Sequence, residues 1–155
     1  MIDTYSNLDY NCFEVIDCLK FGGVYDKLQM FKLFRDGQNL YFDLDIVITG
    51  DCNKFVKKEL TVCKAWWRKV YHTPLNSSII SWHGDKSEVY NLFVTDLNRS
   101  KRIYYRGIDQ YIHHNFDYRY FDDGYCSTKT IKKYDPKYVV YLFNQNHTEM
   151  RWRSW

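Results

Sequence analysis

Two stretches of the chain set aromatic rings beside positive charge, Trp66-Trp67-Arg68-Lys69 and Tyr104-Tyr105-Arg106. Exposed rings stack on nucleic-acid bases while neighbouring cations hold the phosphates. The same residue types also dominate the energy of protein–protein contacts. Other arrangements are weaker. His113-His114 could act with Cys126 as metal ligands or as a small catalytic cluster, but only if the fold gathers them. His72, His83 and His147 are scattered without the spacing of zinc sites. Asp43 and Asp45 would lie on one strand face about 6–7 Å apart. That separation would permit acid–base work, yet a solvated strand face is the plainer reading, and Asp122-Asp123 reads as a turn. The sequence contains no glycine-rich phosphate cradle and no G-x-S-x-G nucleophile elbow. The expectation is a protein that is not an enzyme and uses no cofactor or metal.

The elements that must position these residues follow from composition and period. The chain has 155 residues, which suits a single domain over 1–155. Tyr, Phe and Trp make up 19% and Ala65 is the sole alanine, a balance that favours strands over a helical bundle. Strand-like segments are expected at Phe13–Leu19, Leu28–Phe34, Asn39–Ile48, Leu60–Val70, Ile79–Trp82, Val89–Leu97, Arg102–Arg106, Thr128–Lys133 and Tyr138–Phe143. In Asn39–Ile48 the apolar residues Leu40, Phe42, Leu44, Ile46 and Ile48 alternate with Tyr41, Asp43 and Asp45, the two-residue period of a half-buried strand. Asp36-Gly37 before it is a hairpin signal. Ile79–Trp82 and Val89–Leu97 read as a second hairpin, and Ile108–Phe116 as a short helix or a loop. Eight or nine short strands with frequent turns predict an all-β antiparallel sandwich with at most one or two short helices.

A net charge of +3 is too small to mark a strong nucleic-acid binder. The basic stretches Lys54–Lys58, Arg99–Arg106 and Lys129–Lys137 also carry apolar or acidic residues. A protein partner is therefore expected ahead of nucleic acid, with the aromatic–basic surface as the alternative. The five cysteines are odd in number and form no C-x-x-C pair, which points to reduced thiols in a cytosolic compartment. No signal peptide and no membrane span are expected. The tail Arg151–Trp155 is expected to dock on the body of the protein.

Several short segments are similar to a known group. Lys27-Leu28-Gln29-Met30 with Leu40–Ile48, Glu59-Leu60-Thr61-Val62, Tyr90–Leu97 with Asn98–Lys101 and Arg102–Tyr105, and His113–Tyr118 resemble stretches of the poxvirus host-range family. The likeness spans Phe13 to about Tyr120. It implies a monomeric, non-enzymatic β-sandwich in the host cytoplasm. It further implies binding and inhibition of an interferon-inducible sterile-alpha-motif-domain restriction factor by loops at one end of the sandwich. Those loops would be Lys20–Asp26, Thr49–Lys57 and Trp82–Glu88. The partner-binding residues implied are Lys20, Asp51, Lys54, Phe55, Trp82, His83, Asp85 and Lys86, with Phe55 and Trp82 as exposed aromatic anchors.

Overall fold

The computed structural model describes residues 16–143 apart from positions 71 and 132. The segment Phe13–Glu14–Val15 of the first expected strand, and the tail Arg151–Trp155, lie outside the described residues; residues 16–22 have no regular structure.

The architecture is three layers: helices, a four-stranded sheet and a three-stranded sheet. The first sheet has the order β1 (Gln38–Phe42), β4 (Leu75–His83), β3 (Thr61–Lys64), β5 (Arg119–Tyr120). The second has the order β2 (Ile46–Ile48), β7 (Val140–Leu142), β6 (Tyr125–Ser127). Pairing is antiparallel except for β3 with β5 and β6 with β7. The helices are α1 (Met30–Leu33), which continues a 3-10 stretch Gly23–Gln29, then α2 (Ser87–Thr95), α3 (Leu97–Ile103) and α4 (Ile108–Asn115).

β4 explains the layering. Successive side chains of a strand point to opposite faces. Ile80 and Trp82 join Val62, Leu75, Phe31, Val89, Phe93 and Ile112 in a core beneath the helices. Ile79 joins Cys63, Phe55, Phe121, Tyr125 and Leu142 in a second core between the sheets. A strand buried on both faces has no hydrophilic side, which its run of small serines and isoleucines accommodates.

The all-β expectation is corrected here: the fold is mixed, with α1, α2 and α4 covering one face of the first sheet and α3 following α2. Val89–Leu97 was expected as a strand on the alternation of Tyr90, Leu92 and Val94. It is instead mostly α2, which buries Val89, Tyr90 and Phe93 and leaves Leu92 exposed. Packing of that helical stripe outweighs the strand preference of its β-branched residues. Gly84, at positive φ, turns the chain out of β4. The Asp85 carboxylate then accepts the Ser87 N–H at 2.7 Å as the helix begins. Leu28–Phe34 forms the 3-10 and α1 turns, since Leu28 and Phe31 bury at helical spacing. Arg102 and Ile103 end α3, and the described residues of Thr128–Lys133 form no strand.

Asn39–Ile48 is two strands. The alternation breaks at Asp43-Leu44-Asp45, where a turn carries the chain from the first sheet to the second. Leu44, expected inside, is 74% exposed. The ambiguous Leu60–Val70 supplies only β3, and Ile108–Phe116 takes its helical alternative. No helix among the described residues is long and apolar enough to cross a membrane.

Candidate functional site

A concavity of about 800 Å³ opens where the end of β1, β4, α4 and the segment after β3 meet. Its floor is a bulge. The β3–β4 register pairs Val62 with Ile80 but Cys63 with Asn76, so Ser77 and Ser78 belong to extra residues on β4. Bulges re-aim backbone groups and are common beside functional sites. Here Ser77 is pinned from two sides. Lys27 Nζ donates to the Ser77 carbonyl at 3.0 Å, while the Ser77 N–H donates to Asp109 Oδ1 at 2.9 Å. The Ser77 hydroxyl donates to the same carboxylate oxygen.

Two ion pairs complete the floor. Lys27 Nζ lies 3.0 Å from Asp43 Oδ1, and Arg68 Nη2 lies 2.6 Å from Asp109 Oδ2. All four side chains are largely shielded from solvent. The Tyr41 hydroxyl donates to Asp43 at 2.7 Å, and burial together with that carboxylate pushes its pKa well up. Arg68 also donates to the Leu75 carbonyl at 2.7 Å. Four separate segments are thereby tied to the bulge in β4, which makes the floor rigid. Shielded pairs are costly to break because the remaining charge is stranded. Asp109→Ala is expected to cost about 3 kcal/mol, by orphaning Arg68 and the Ser77 N–H. Asp109→Asn should cost less, because its amide oxygen still accepts from Ser77. Urea unfolding of the two variants measures both.

The rim carries the aromatic–basic residues. Trp67, Arg68 and Lys69 line the cleft on one side; Arg106 and Gly107 line it on another, with His72 and Lys129. Of the two stretches singled out in the sequence, Trp67, Arg68 and Lys69 of the first and Arg106 of the second line this opening, together with the carboxylates Asp43, Asp45 and Asp109. Trp66 is 47% exposed and its ring meets Trp67 edge-on at 4.9 Å. Tyr105 is 67% exposed, with the Arg106 guanidinium 5.4 Å from its ring centre. Tyr104 turns inward instead, packing against Tyr111 at 5.1 Å. One aromatic of that pair is thus buried and one exposed.

The residues implied by the host-range resemblance fare differently. Phe55 is 0% exposed in the core between the sheets and Trp82 is 2% exposed beneath the helices. Neither is a surface anchor. Phe55 packs edge-on to Phe121 at 5.2 Å, and Trp82 packs on Phe31 at 4.9 Å and donates its indole N–H to the Phe34 carbonyl. Their neighbours in the sequence are polar and the loops are short, so only packing shows that these rings point inward. The polar positions do stay at the surface. Lys20 is exposed. Asp51 closes a local turn by accepting the Asn53 N–H at 2.9 Å. Lys54 pairs with Asp123 at 2.9 Å. Asp85, its carboxyl held below the usual range by the Ser87 N–H, lies 3.8 Å from Arg35. His83 and Lys86 share a shallow groove with Lys58, Glu59, Asp117 and Arg119.

The catalytic alternative separates in space. His113 and His114 sit at the end of α4 in the helix layer, whereas Cys126 lies on β6 in the second sheet. Burial pushes the Cys126 thiol up to about 12, so it is not a nucleophile at neutral pH. Among the described residues no group of three His, Cys, Asp or Glu side chains is placed to hold a metal ion.

His113 has a structural task, with its Nδ1 2.7 Å from the Tyr118 hydroxyl. Burial first, and His114 second, lower its pKa below the ordinary 6.5. The unfolded chain therefore takes up this proton more readily than the folded one. The stability contributed by neutral His113 is complete above pH 6.5 and is lost as pH falls below it. His113→Gln should flatten the acid side of the stability curve, as read by urea midpoints across that range.

Sequence reasoning missed Ser77 and Asp109, and it gave Lys27, His72 and Lys129 no part in a shared site. No local pattern marks them, because they meet only through the bulge and the strand crossover. No family model matches the chain, and no significant similarity to a curated protein or a solved structure is found.

Proposed function

We propose that the protein binds single-stranded nucleic acid in the cleft lined by Trp67, Arg68, Lys69 and Arg106. The observation that carries this reading is the meeting of Trp67-Arg68-Lys69 with Arg106 and Lys129, all distant in the chain, at one opening over a rigid polar floor. The Trp67 ring in the lining, with the exposed Trp66 ring edge-on to it, offers a face for an unstacked base, and Lys69, Arg106 and Lys129 line the same opening for a phosphate backbone. The reading requires no bond to be made or broken.

This places the weight on the alternative function rather than on capture of a host factor, whose two aromatic anchors are in the cores. Fluorescence anisotropy with a labelled single-stranded oligonucleotide tests it. Binding at low salt is expected, weakened at least tenfold by Lys69→Glu with Arg106→Glu. The matching duplex should bind less tightly, since its bases are unavailable for stacking on the rim. Equal affinity of the charge-reversed and original proteins, or absence of binding at low salt, overturns the proposal.

A further inference from the structure

β1 is an outer strand of the first sheet, and its outward edge is bare among the described residues. The ladder to β4 extends through Asp43 N–H to the Ser78 carbonyl and through Gly84 N–H to the Gly37 carbonyl. With the register Tyr41 to Ile80 and Asn39 to Trp82, those bonds make the odd-numbered residues the hydrogen-bonded partners of β4. The backbone groups of Gln38, Leu40 and Phe42 therefore point away from the sheet. Edge strands are normally protected by lysine, proline, a bulge or extreme shortness. β1 has five residues, Gln-Asn-Leu-Tyr-Phe, and none of these devices. The opposite edge, β5, has only two residues and begins with Arg119.

We propose that β1 pairs antiparallel with β1 of a second copy about a two-fold axis at Leu40, joining two four-stranded sheets into one. At this register Leu40 faces its own counterpart and Gln38 faces Phe42 of the other copy. About six main-chain hydrogen bonds form. The occupant is specified by what lies at the two ends of the strand. Arg35 precedes β1 and Asp45 follows it, and the two-fold brings Arg35 of each copy to the end that carries Asp45 of the other. Arg35 is more than half exposed and its contact to Asp85 is a loose 3.8 Å, weak enough to yield. Leu44, exposed next to Asp45, is brought toward Phe34 of the other copy, which is itself exposed. Charge and apolar surface are therefore both self-complementary, as an isologous interface requires.

Sedimentation velocity of the full chain across the micromolar range tests the proposal. A concentration-dependent dimer is expected. Arg35→Asp and Asp45→Arg, both at exposed positions, should each weaken it about tenfold or more, and the two together should restore it. Leu44→Asp should weaken it without rescue. Circular dichroism confirms that each variant is folded. A monomer at every concentration overturns the proposal, as does a dimer indifferent to the charge swaps.

Discussion

Phe55→Ala is expected to destabilise the protein by about 3–5 kcal/mol, the range for removing a buried phenylalanine from a packed core. The ring is enclosed by Phe42, Phe121 and Tyr125, at centroid distances of 6.4, 5.2 and 6.5 Å. These residues come from β1, from the end of β5 and from β6, so the ring joins the two sheets. Truncation leaves a cavity that the sheets cannot close without shifting their pairing. A domain of this size loses roughly 2–4 °C of melting temperature per kcal/mol, so a drop of about 10 °C is expected. Lys54→Ala, one residue away and exposed, should stay within about 0.5 kcal/mol of the parent. Thermal unfolding of the pair distinguishes a core ring from a surface anchor. An anchor would lose binding with an unchanged melting temperature, and that result would contradict the buried placement.

The second large effect concerns salt. Each phosphate neutralised on a single strand contributes about −0.7 to the slope of log affinity against log salt. Lys69, Arg106 and Lys129 at the rim correspond to a slope of about −2. Raising salt fourfold should then weaken binding by a factor of about 15 to 20. Lys129→Ala should reduce the magnitude of the slope by about 0.7, whereas Trp67→Ala should lower affinity and leave the slope unchanged. Lys27 and Arg68 belong to the floor, paired with Asp43 and Asp109. A slope near zero would show that the strand, if bound, is not held by these cations. A modest net charge of +3 is compatible with such a slope, because the phosphate contacts are local to one opening.

Several elements were legible before any packing was known. The alternation through Asn39–Ile48 marked extended chain, although it is two strands, β1 and β2, rather than the one expected, and Tyr138–Phe143 contains β7. The two aromatic–basic stretches were recognisable as candidate contact residues, since their chemistry is local. The helices were misread for an identifiable reason. Val89, Tyr90 and Phe93 fit both periods within so short a window, and β-branched and aromatic residues tilted the balance toward a strand. What resolves the period is the presence of Phe31, Tyr111 and Trp82 on the other side of the interface.

By itself, then, the chain determines which residues can stack, carry charge or pair as strands, because those properties reside in single side chains and their nearest neighbours. Tertiary structure alone decides which of them share a site. The crossover at Asp43-Leu44-Asp45, the bulge at Ser77-Ser78 and the entry of α4 at Gly107 bring Lys27, Asp43, Arg68 and Asp109 to one floor. The same packing draws Phe55 and Trp82 inward, since burying a large ring on both sides of a shared sheet stabilises the fold more than leaving it on a loop.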